Sequence, residues 1–381
     1  MVFSLAACGG GNAETPAPET TTPTESGAPA ETTPATDMKV AMITDYGDIT
    51  DQSFNQTTYE ACNEFCTANS VEFTYYKPAG DSTAERVAMV DAAVAEGYNV
   101  IVMPGYAFAE TIKETADMYP DVTFIALDVG EGDLGADYTV PSNVYCAVYQ
   151  EELCGYMAGY AAVKLGYTHL GFLGGMAVPA VQRYGYGFIQ GADAAAVELG
   201  NGADVTVEYV YGNQFFGDAD ITAYMDNWYQ TQGVEVVFAC GGGIYTSAAE
   251  AAAKVGGKVI GVDVDQAGII DAYGEGMTVT SAMKGLANTT KHLLQETMDG
   301  NFANYGGQIE TLGLVSGDDP TANYVQLPME STQWSDSFTQ DNYKALVAGM
   351  FDGTITVSND VSVAPADNAT AITVNAYDNI K

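Results

Sequence analysis

From residue 39 onwards, short apolar runs alternate with longer helical stretches, and this alternation constrains the fold more than any other feature. The first apolar runs are VAMI, VEFTYY, VIVMP and VTFIAL, and stretches typical of helices, such as STAERVAMVDAAVAEG, lie between them. Several runs are apolar at successive positions, which indicates strands that are buried on both faces. Strands that alternate with helices favour a doubly wound parallel sheet. The sequence therefore predicts an α/β fold.

The alternation starts again in the second half of the chain, in the runs NVYCAVY, HLGFLG, VTVEYVY, VEVVFAC and KVIGVDV. With 381 residues the chain is long enough for two domains, and each half has enough strands for its own sheet. Because no flexible linker separates the halves, we expect two lobes joined by crossing strands. Lobe 1 is expected to hold residues 39–145 and about 278–310, and lobe 2 residues 146–277 and about 311–360. We expect residues 361–381 to form a weakly structured tail.

The N-terminal segment has a different composition from the rest of the chain. Leu5-Ala6-Ala7-Cys8 has the form of a bacterial lipoprotein cleavage site, although the basic and long apolar parts of a signal do not precede it. We expect residues 1–8 to be the remnant of a signal and Cys8 to carry the lipid; a chance cysteine is the alternative. Residues 9–38 are rich in Pro, Thr, Ala and Glu and too polar to fold, so we expect a disordered tether. This places the globular part at the outer face of the cell membrane.

The polar composition excludes several classes of partner. The chain has 50 acidic and 12 basic residues, a net charge of −38, which repels nucleic acid and anionic lipid. The two histidines, His169 and His292, are far apart, so we expect no multi-histidine metal site, no cofactor and no histidine-based catalytic triad. Cys62 and Cys66 lie four residues apart on one face of an expected helix. We interpret them as core residues rather than as a disulfide or a metal pair.

Ligands of open α/β sheets bind beyond the carboxyl ends of the strands, and the residues at those positions are candidates for a site. They are rich in carboxylates, glycines and aromatic rings and include one cation. The set comprises Asp45 with the loop YGDITDQSFN, residues 104–106, Asp128, residues 174–176, residues 212–216, residues 241–243, Asp263, Asp265 and Lys284. Such a set suits a neutral polar ligand with hydroxyl groups.

Three patterns in this set are too weak to indicate other chemistry. Residues 241–243 are three glycines between a strand and a helix, but they match neither GxGxxG nor GxxxxGK[ST]. The acidic residues between positions 45 and 51 lack the spacing and the final Glu of an EF-hand loop. Asp263 and Asp265, separated by one residue at the end of an apolar run, invite a hydrolase interpretation, but we do not expect them to share one metal or water and interpret one of them as structural. We therefore expect no bound metal.

Six segments occur in the order of the motifs of a known family: TDYGDITDQSFNQ, NVYCAVYQEELCGYMAGYAA, HLGFLGGMAVPAVQRYGYGFIQGA, VVFACGGGIYTSAAEAA, VIGVDVDQ and TSAMKGL. Together they resemble the basic membrane protein (BMP) family of lipoproteins. These are substrate-binding components of ABC transporters, typified by purine nucleoside receptors. The resemblance covers about residues 39–300. It implies a type I periplasmic-binding-protein fold, with two α/β lobes joined by a hinge, three crossovers and a ligand in the cleft.

The resemblance also implies which residues contact the base of a nucleoside. The first motif places Asp45 and Asn55 on the ligand and stacks Phe54 on the base. A second stacking aromatic belongs to the segment GNQFFGD, where Phe215 is the first choice and Phe216 the alternative. Without the resemblance, Phe54 is open to interpretation as a core residue.

Further positions correspond to the polar end of the family's ligand. Asp128 resembles the family's cleft aspartate. Gly242, Asp263 and Lys284 fall where the family contacts the ribose. Without the resemblance, Lys284 is open to interpretation as a surface lysine at the start of a helix.

These implications favour a lipid-anchored receptor that binds a nucleoside, with a purine nucleoside as first choice. It would deliver the nucleoside to the permease and ATPase subunits of an ABC importer, without catalysis. One alternative is a nucleoside hydrolase or phosphorylase, which needs a dense aspartate cluster on a metal or a cationic phosphate site. Another is a sensory or adhesive surface lipoprotein, which the sequence does not distinguish from a transport protein.

Overall fold

The structure is a computed structural model and describes residues 37–381. The predictions for the signal remnant, for lipidation of Cys8 and for nearly all of the tether therefore lie outside the described residues. Within residues 37–381, no helix combines the length and the apolar character needed to cross a bilayer.

The strands of the described residues form two sheets. Sheet 1 has the order β11-β5-β4-β3-β1-β2, and sheet 2 has the order β12-β10-β9-β8-β6-β7-β13. Neighbouring strands are parallel except for β10 and β12. The strands are β1 (Lys39–Ile43), β2 (Glu72–Tyr76), β3 (Val100–Pro104), β4 (Thr123–Leu127), β5 (Val144–Tyr149), β6 (His169–Gly174), β7 (Thr206–Tyr211), β8 (Val236–Cys240), β9 (Lys258–Asp263), β10 (Thr278–Lys284), β11 (Gln308–Leu312), β12 (Val325–Gln326) and β13 (Thr373–Ala376).

Helices follow most strands, and the predicted α/β fold with two parallel sheets is confirmed. The central strands β3 and β8 are buried at every position, as their unbroken apolar runs predict. The helices are α1 (Phe54–Asn69), α2 (Thr83–Ala95), α3 (Ala109–Thr115), α4 (Glu131–Leu134), α5 (Glu151–Lys164), α6 (Pro179–Leu199), α7 (Ala219–Asn227), α8 (Tyr245–Ala253), α9 (Ala267–Ile270), α10 (Leu286–Met298) and α11 (Gln340–Phe351).

The chain passes between the sheets three times, as the family resemblance implies: between β5 and α5, between β10 and α10, and between β11 and β12. Backbone hydrogen bonds tie the crossings together. The amide of Gln150 donates to the carbonyl of Leu312 (2.9 Å), and that of Gly285 donates to Tyr324 (2.7 Å). The amide of Tyr324 in turn donates to Gly313 (3.0 Å). These bonds form the hinge between the lobes.

Helices α5 and α6 pack so closely that glycines are required at their contact. A Cβ atom on Gly155 would lie 2.1 Å from the carbonyl oxygen of Tyr184, and one on Gly187 would lie 2.0 Å from that of Glu152. The close contact fixes the start of α5, beside the hinge, against the start of α6. Both helices belong to lobe 2.

The strand pairing corrects two predicted boundaries near the hinge. Residues 278–284 were expected in lobe 1, but they form β10, which pairs with β9 in sheet 2. The chain enters lobe 1 only after Gly285, where α10 packs against α1. Residues 144–149 form β5 of sheet 1, so the first crossing lies at Gln150 rather than after residue 145. Pairing partners of parallel strands are distant in sequence, and the local pattern does not reveal them.

The predicted tail is also corrected. Residues 373–376 form β13, which pairs in parallel with β7 at the edge of sheet 2. Its side chains are partly or fully exposed, so the segment lacks the apolar pattern of an inner strand. We therefore count residues 325–381 as part of lobe 2.

The cysteines of the described residues are buried and form no disulfide. Cys62 and Cys66 both lie on the inner face of α1 and belong to the hydrophobic core. The interpretation of this pair as core residues is confirmed.

Candidate ligand-binding site

A cavity of about 650 Å³ lies between the lobes, at the carboxyl ends of the strands of both sheets. The structure brings together every residue that the sequence places at the ligand. The cavity is lined by Asp45, Phe54, Asn55, Asp128, Phe215, Gly242, Asp263 and Lys284. Their contact with a ligand stays a prediction.

Two aspartates occupy equivalent places in the two lobes. Asp128 directly follows β4 and Asp263 ends β9, and these strands hold the same position in the order of their sheets. Both residues adopt the left-handed backbone conformation, with φ of 59° and 66°. This conformation is uncommon for residues other than glycine, and such strained positions concentrate at functional sites. The backbone at both strand ends thus presents a carboxylate to the cavity.

Lys284, at the end of β10, is buried in a group of carboxylates. Its Nζ lies 2.6 Å from Oδ2 of Asp128, 3.4 Å from Oε1 of Glu151 and 3.8 Å from Oδ1 of Asp263. Burial opposes its charge, but the three carboxylates outweigh burial and hold the pKa of Lys284 above its ordinary value. Burial in turn raises the pKa of Asp128 to about 6, although Lys284 opposes this. The interpretation of Lys284 as a surface lysine is therefore wrong.

Aromatic rings enclose the same ammonium group. Nζ of Lys284 lies 4.8 Å from the ring centre of Phe54, 5.4 Å from that of Tyr149 and 5.7 Å from that of Tyr184. A desolvated cation over aromatic faces is attracted by about 2 kcal/mol. Phe54 belongs to lobe 1, so this contact also joins the lobes.

The acidic residues of the loop after β1 are used to organise that loop. Oδ1 of Asp45 accepts hydrogen bonds from the amides of Tyr46 (2.6 Å) and Gly47 (2.7 Å). The carboxylate of Asp51 accepts three backbone amides at the start of α1, at 2.9–3.0 Å. Because the amides that Asp51 accepts lack helical partners, Asp51 holds the start of α1 at the cavity, whereas Asp45 holds the turn that follows it.

Asn55 is fixed by this loop, but part of its hydrogen-bonding capacity stays unused. Its Nδ2 donates to Asp51 (3.2 Å), and a Cβ atom on Gly47 would lie 2.2 Å from that nitrogen. Oδ1 of Asn55 and Oδ1 of Asp128 are buried and have no partner among the described residues. A buried acceptor without a donor costs about 1–3 kcal/mol. A ligand with donors at these two points would remove that cost.

Of the two candidate stacking residues in the segment GNQFFGD, Phe215 is the better placed to face the cavity. Its ring centre lies 6.2 Å from that of Tyr46 across the cleft. A Cβ atom on Gly175 would lie 2.4 Å from the Phe215 ring, and one on Gly241 would lie 2.8 Å away. The Phe215 ring therefore fits only because Gly175 and Gly241 have no side chains. Phe216 is 59% exposed at the rim.

Comparison with known proteins identifies the family. Residues 38–319 match the model of the family described as ABC transporter substrate-binding protein PnrA-like. The chain belongs to this family. The resemblance to basic membrane proteins is confirmed, since several of the matching relatives carry that name.

Two curated relatives illustrate the similarity of this PnrA-like protein to known sequences. The ABC transporter nucleoside-binding protein BmpA of Lactococcus lactis subsp. cremoris (strain MG1363) is 27% identical over 300 residues, which cover 74% of this chain and 80% of that protein. Basic membrane protein B of Borreliella afzelii (strain PKo) is 26% identical over 287 residues, which cover 74% and 79%.

Solved structures share the fold. The solute-binding protein of an ABC transporter system from Aeropyrum pernix K1 has a TM-score of 0.63 at 22% identity and covers 84% of this chain and 87% of its own. One from Conexibacter woesei DSM 14684 has a TM-score of 0.64 at 22% identity and covers 84% and 99%. The periplasmic-binding-protein fold is confirmed. Membership implies an extracytoplasmic location, a small-molecule ligand, and permease and ATPase partners.

The PnrA-like protein has a second cation at the cleft, so the sequence-based prediction of one cation is wrong. Arg183, in the second turn of α6, lines the cavity, and its Nε donates to Oε2 of Glu151 (2.7 Å). Inspection of strand ends misses Arg183, because it enters the cleft from the start of a helix. Its place in VPAVQRYGYGF, shortly after β6 and beside the helix-initiating Pro179, is the sequence signal that could have found it.

Direct contacts join the lobes across the cleft. Oγ of Ser53 donates to Oδ2 of Asp263 (2.5 Å), and Nε2 of Gln266 donates to the carbonyl of Gln52 (3.0 Å). Ser53, which precedes α1, belongs to the predicted loop YGDITDQSFN, but the sequence assigns it no individual role. Because Asp263 already accepts from a hydroxyl of lobe 1, its carboxylate is suited to accept from hydroxyl groups in the cleft.

Proposed function

We propose that this PnrA-like protein is a lipid-anchored receptor that captures a nucleoside, foremost a purine nucleoside, in the interlobe cleft and delivers it to an ABC importer. The observation that carries the proposal is the meeting of two kinds of group in one cavity. Aromatic rings come from both lobes, Phe54 and Phe215, and a carboxylate beside an ammonium, Asp263 and Lys284, lies with them. A nucleoside has the matching two parts, a flat base and a hydroxylated sugar.

The base would lie between the aromatic rings of the two lobes. Stacking of a base on an aromatic side chain contributes about 1–3 kcal/mol. The unpartnered acceptors Asn55 Oδ1 and Asp128 Oδ1 would receive hydrogen bonds from N–H or O–H groups of the ligand. Contacts from both lobes favour the closed arrangement and couple binding to closure of the hinge.

The sugar would be held by Asp263. Its carboxylate can accept two hydroxyl groups, and such charge-assisted hydrogen bonds are stronger than neutral ones. Burial raises the pKa of Asp263, and Lys284, 3.8 Å away, opposes this rise and favours the charged carboxylate. A ligand without the hydroxyl groups would forgo these bonds.

The charge of the cleft argues against a phosphorylated ligand. Lys284 and Arg183 are the cations among its lining residues, and both are already paired with carboxylates. A phosphate would have to compete with Asp128 and Glu151 in a chain of net charge −38. The proposal is therefore specific for the nucleoside over its monophosphate.

Titration calorimetry with inosine, guanosine and their 5′-monophosphates tests the ligand class. We expect one or both nucleosides to bind, and the monophosphates to bind at least about tenfold more weakly, a difference of about 1.4 kcal/mol. Equal affinity for nucleoside and monophosphate would contradict the charge argument. Absence of nucleoside binding, with binding of a sugar or an amino acid instead, would contradict the proposal itself.

The lipid anchor belongs to the proposal and has its own test. Cys8 follows Leu5-Ala6-Ala7, and a solvated tether separates it from the lobes. Mass spectrometry of protein from a membrane fraction should find the chain beginning at an acylated Cys8. An unmodified chain in the cytoplasm would contradict the anchor.

A further inference from the structure

The chain continues beyond residue 319, where the match to the family model ends, and its last part packs on lobe 2. We name residues 357–381 the C-terminal strap. Its aliphatic side chains are half-buried against the same core as sheet 2; they are Val357, Val361, Val363, Ile372 and Val374. The strap is therefore an integral layer of the lobe.

One face of α6 holds the first part of the strap. The amide of Gln190 makes two bonds to the backbone of Ser358: Nε2 donates to its carbonyl (2.9 Å) and Oε1 accepts from its N–H (2.8 Å). The hydroxyl of Tyr186 donates to the carbonyl of Val363 (3.0 Å). Tyr186 and Gln190 are one helical turn apart, so they lie on the same face of α6.

The second part of the strap is fixed at the same level of the helix. The carboxylate of Asp193 accepts the three backbone amides of residues 370–372 at 2.7–3.0 Å. Residues 373–376 then pair with β7, and the hydroxyl of Tyr377 donates to Glu208 (2.6 Å). The strap is thus clamped on both sides of residues 359–369.

Because both ends of this stretch are fixed near Gln190 and Asp193, the residues between them form a loop along α6 towards its start. Contact with Tyr186, nearer the start, shows the direction in which the loop runs. At its tip, the carboxylate of Asp360 accepts the N–H (2.8 Å) and the hydroxyl (2.6 Å) of Ser362 and shapes a tight turn. Val361, between them, lines the ligand cavity.

Val361 completes an aliphatic section of the cavity wall. Val178, which directly precedes α6, and Pro179 and Val181 of its first turn line the same cavity. The cavity thus joins the tip of the strap to the start of α6, the helix that holds the strap through Tyr186 and Gln190. The strap therefore reaches the cleft at the start of α6.

We propose that Val361 is a selectivity-determining residue: the tip of the C-terminal strap limits the size of the ligand substituent that fits beside the start of α6. Removing its methyl groups would open space for an apolar substituent. The contribution of one methylene to discrimination in such a wall is typically about 10–200-fold. The choice of nucleoside probes rests on the proposed function, whereas the position of the strap does not.

The selectivity test compares Val361→Ala with Val374→Ala. Both substitutions shorten a half-buried valine of the strap, but Val374 lies on β13, away from the cavity. Calorimetry would use inosine or adenosine and three analogues that are enlarged at different ends: N6-benzyladenosine, 5′-methylthioadenosine and 2′-O-methyladenosine. We expect Val361→Ala to improve the affinity for one analogue relative to its parent by at least about tenfold, and Val374→Ala to leave all ratios unchanged. Ratios that change equally in both variants, or in neither, would overturn the proposal.

A second measurement needs no nucleoside. The thiol introduced by Val178→Cys is labelled with a maleimide in a chain that also carries Cys8→Ser. The other cysteines are all buried and provide a slow background. We expect Val361→Gly to accelerate labelling severalfold and Val374→Ala not to change it. An unchanged rate with Val361→Gly would overturn the placement of the tip, whereas a faster rate without any nucleoside binding would contradict only the proposed function.

Discussion

The two lobes have the same strand order around the cleft but supply different chemistry to it. In lobe 1 the loop between β1 and α1 contributes carboxylates that are already bonded to backbone amides, such as Asp45 and Asp51. In lobe 2 the ends of β9 and β10 contribute Asp263 and Lys284, which meet side chains. These acidic groups of lobe 1 thus hold a loop, whereas the charged groups of lobe 2 contact side chains and are the ones proposed to bind the sugar of a ligand.

The equivalent aspartates show the difference most clearly. Asp128 of lobe 1 forms a 2.6 Å ion pair with Lys284 of lobe 2. Asp263 lies 3.8 Å from the same ammonium and instead accepts the hydroxyl of Ser53. Both aspartates therefore link the lobes, Asp128 through an ion pair and Asp263 through the hydroxyl of Ser53.

The largest expected effect is a decrease in the free energy of unfolding when Lys284, which contacts residues of both lobes, is replaced. Lys284→Met leaves Asp128 buried without its cation and removes the ammonium beside Glu151 and Asp263, which keep Arg183 and Ser53 as partners. Loss of one partner of a buried ion pair costs about 3–5 kcal/mol, and we expect this decrease in the free energy of unfolding in urea. The control is Lys291→Met, which removes an exposed ion pair with Glu64 and should cost at most about 1 kcal/mol. Similar losses in both variants would show that the buried cluster does not stabilise the closed lobes.

A second effect is the pH dependence of the free energy of unfolding that Glu152 causes. Glu152 of lobe 2 is buried, and its Oε2 has no hydrogen-bond donor among the described residues. Burial, followed by repulsion from Glu151, raises the pKa of Glu152 from 4.5 to about 7. The folded chain therefore keeps a proton that the unfolded chain loses between these values. The free energy of unfolding should fall as the pH rises through this window, by at most about 3 kcal/mol.

Urea unfolding between pH 5 and pH 8 measures this decrease. Glu152→Gln, which is always neutral, should reduce the pH dependence over the window, most of all above pH 6, because burial raises the pKa of Asp128 only to about 6. Glu60→Gln, at an exposed position of α1, should leave it as in the wild type. An unchanged slope in Glu152→Gln would assign the proton to another group.

The smallest expected effect is a loss of ligand affinity caused by a substitution in the loop between β1 and α1. Gly47→Ala would place a Cβ atom 2.2 Å from Nδ2 of Asn55 and displace that side chain from the cavity. Because a flexible side-chain end can move, we expect little loss of stability but an affinity for ligand lowered about tenfold, or about 1.4 kcal/mol. Gly268→Ala, whose Cβ atom meets open space, is the control. Unchanged affinity in Gly47→Ala would exclude Asn55 from the site.

The sequence predicts the parts of the site that follow from local pattern. Asp45, Asp128 and Asp263 were found because each follows an apolar run, and strand ends meet at one edge of a parallel sheet. Arg183 and Val361 were missed because they reach the cleft from a helix and from the distant strap. The lobe of β10 depends on a partner strand, and the choice of Phe215 over Phe216 depends on the space left by Gly175 and Gly241. Such contacts between residues distant in sequence cannot be predicted from the local sequence pattern.

The main proposal is that Asp263 binds the sugar and Phe54 stacks on the base. Calorimetry on Asp263→Ala and Phe54→Ala tests it most directly, with inosine and hypoxanthine as one pair of ligands and guanosine and guanine as the other. Asp263→Ala should weaken nucleosides by at least about tenfold and leave the free bases unchanged, because only the nucleoside loses hydroxyl contacts. Phe54→Ala should weaken nucleosides and bases alike, because both lose the stacking surface. If nucleoside affinity is unchanged in Asp263→Ala, the account of lobe 2 as the sugar-binding side is wrong.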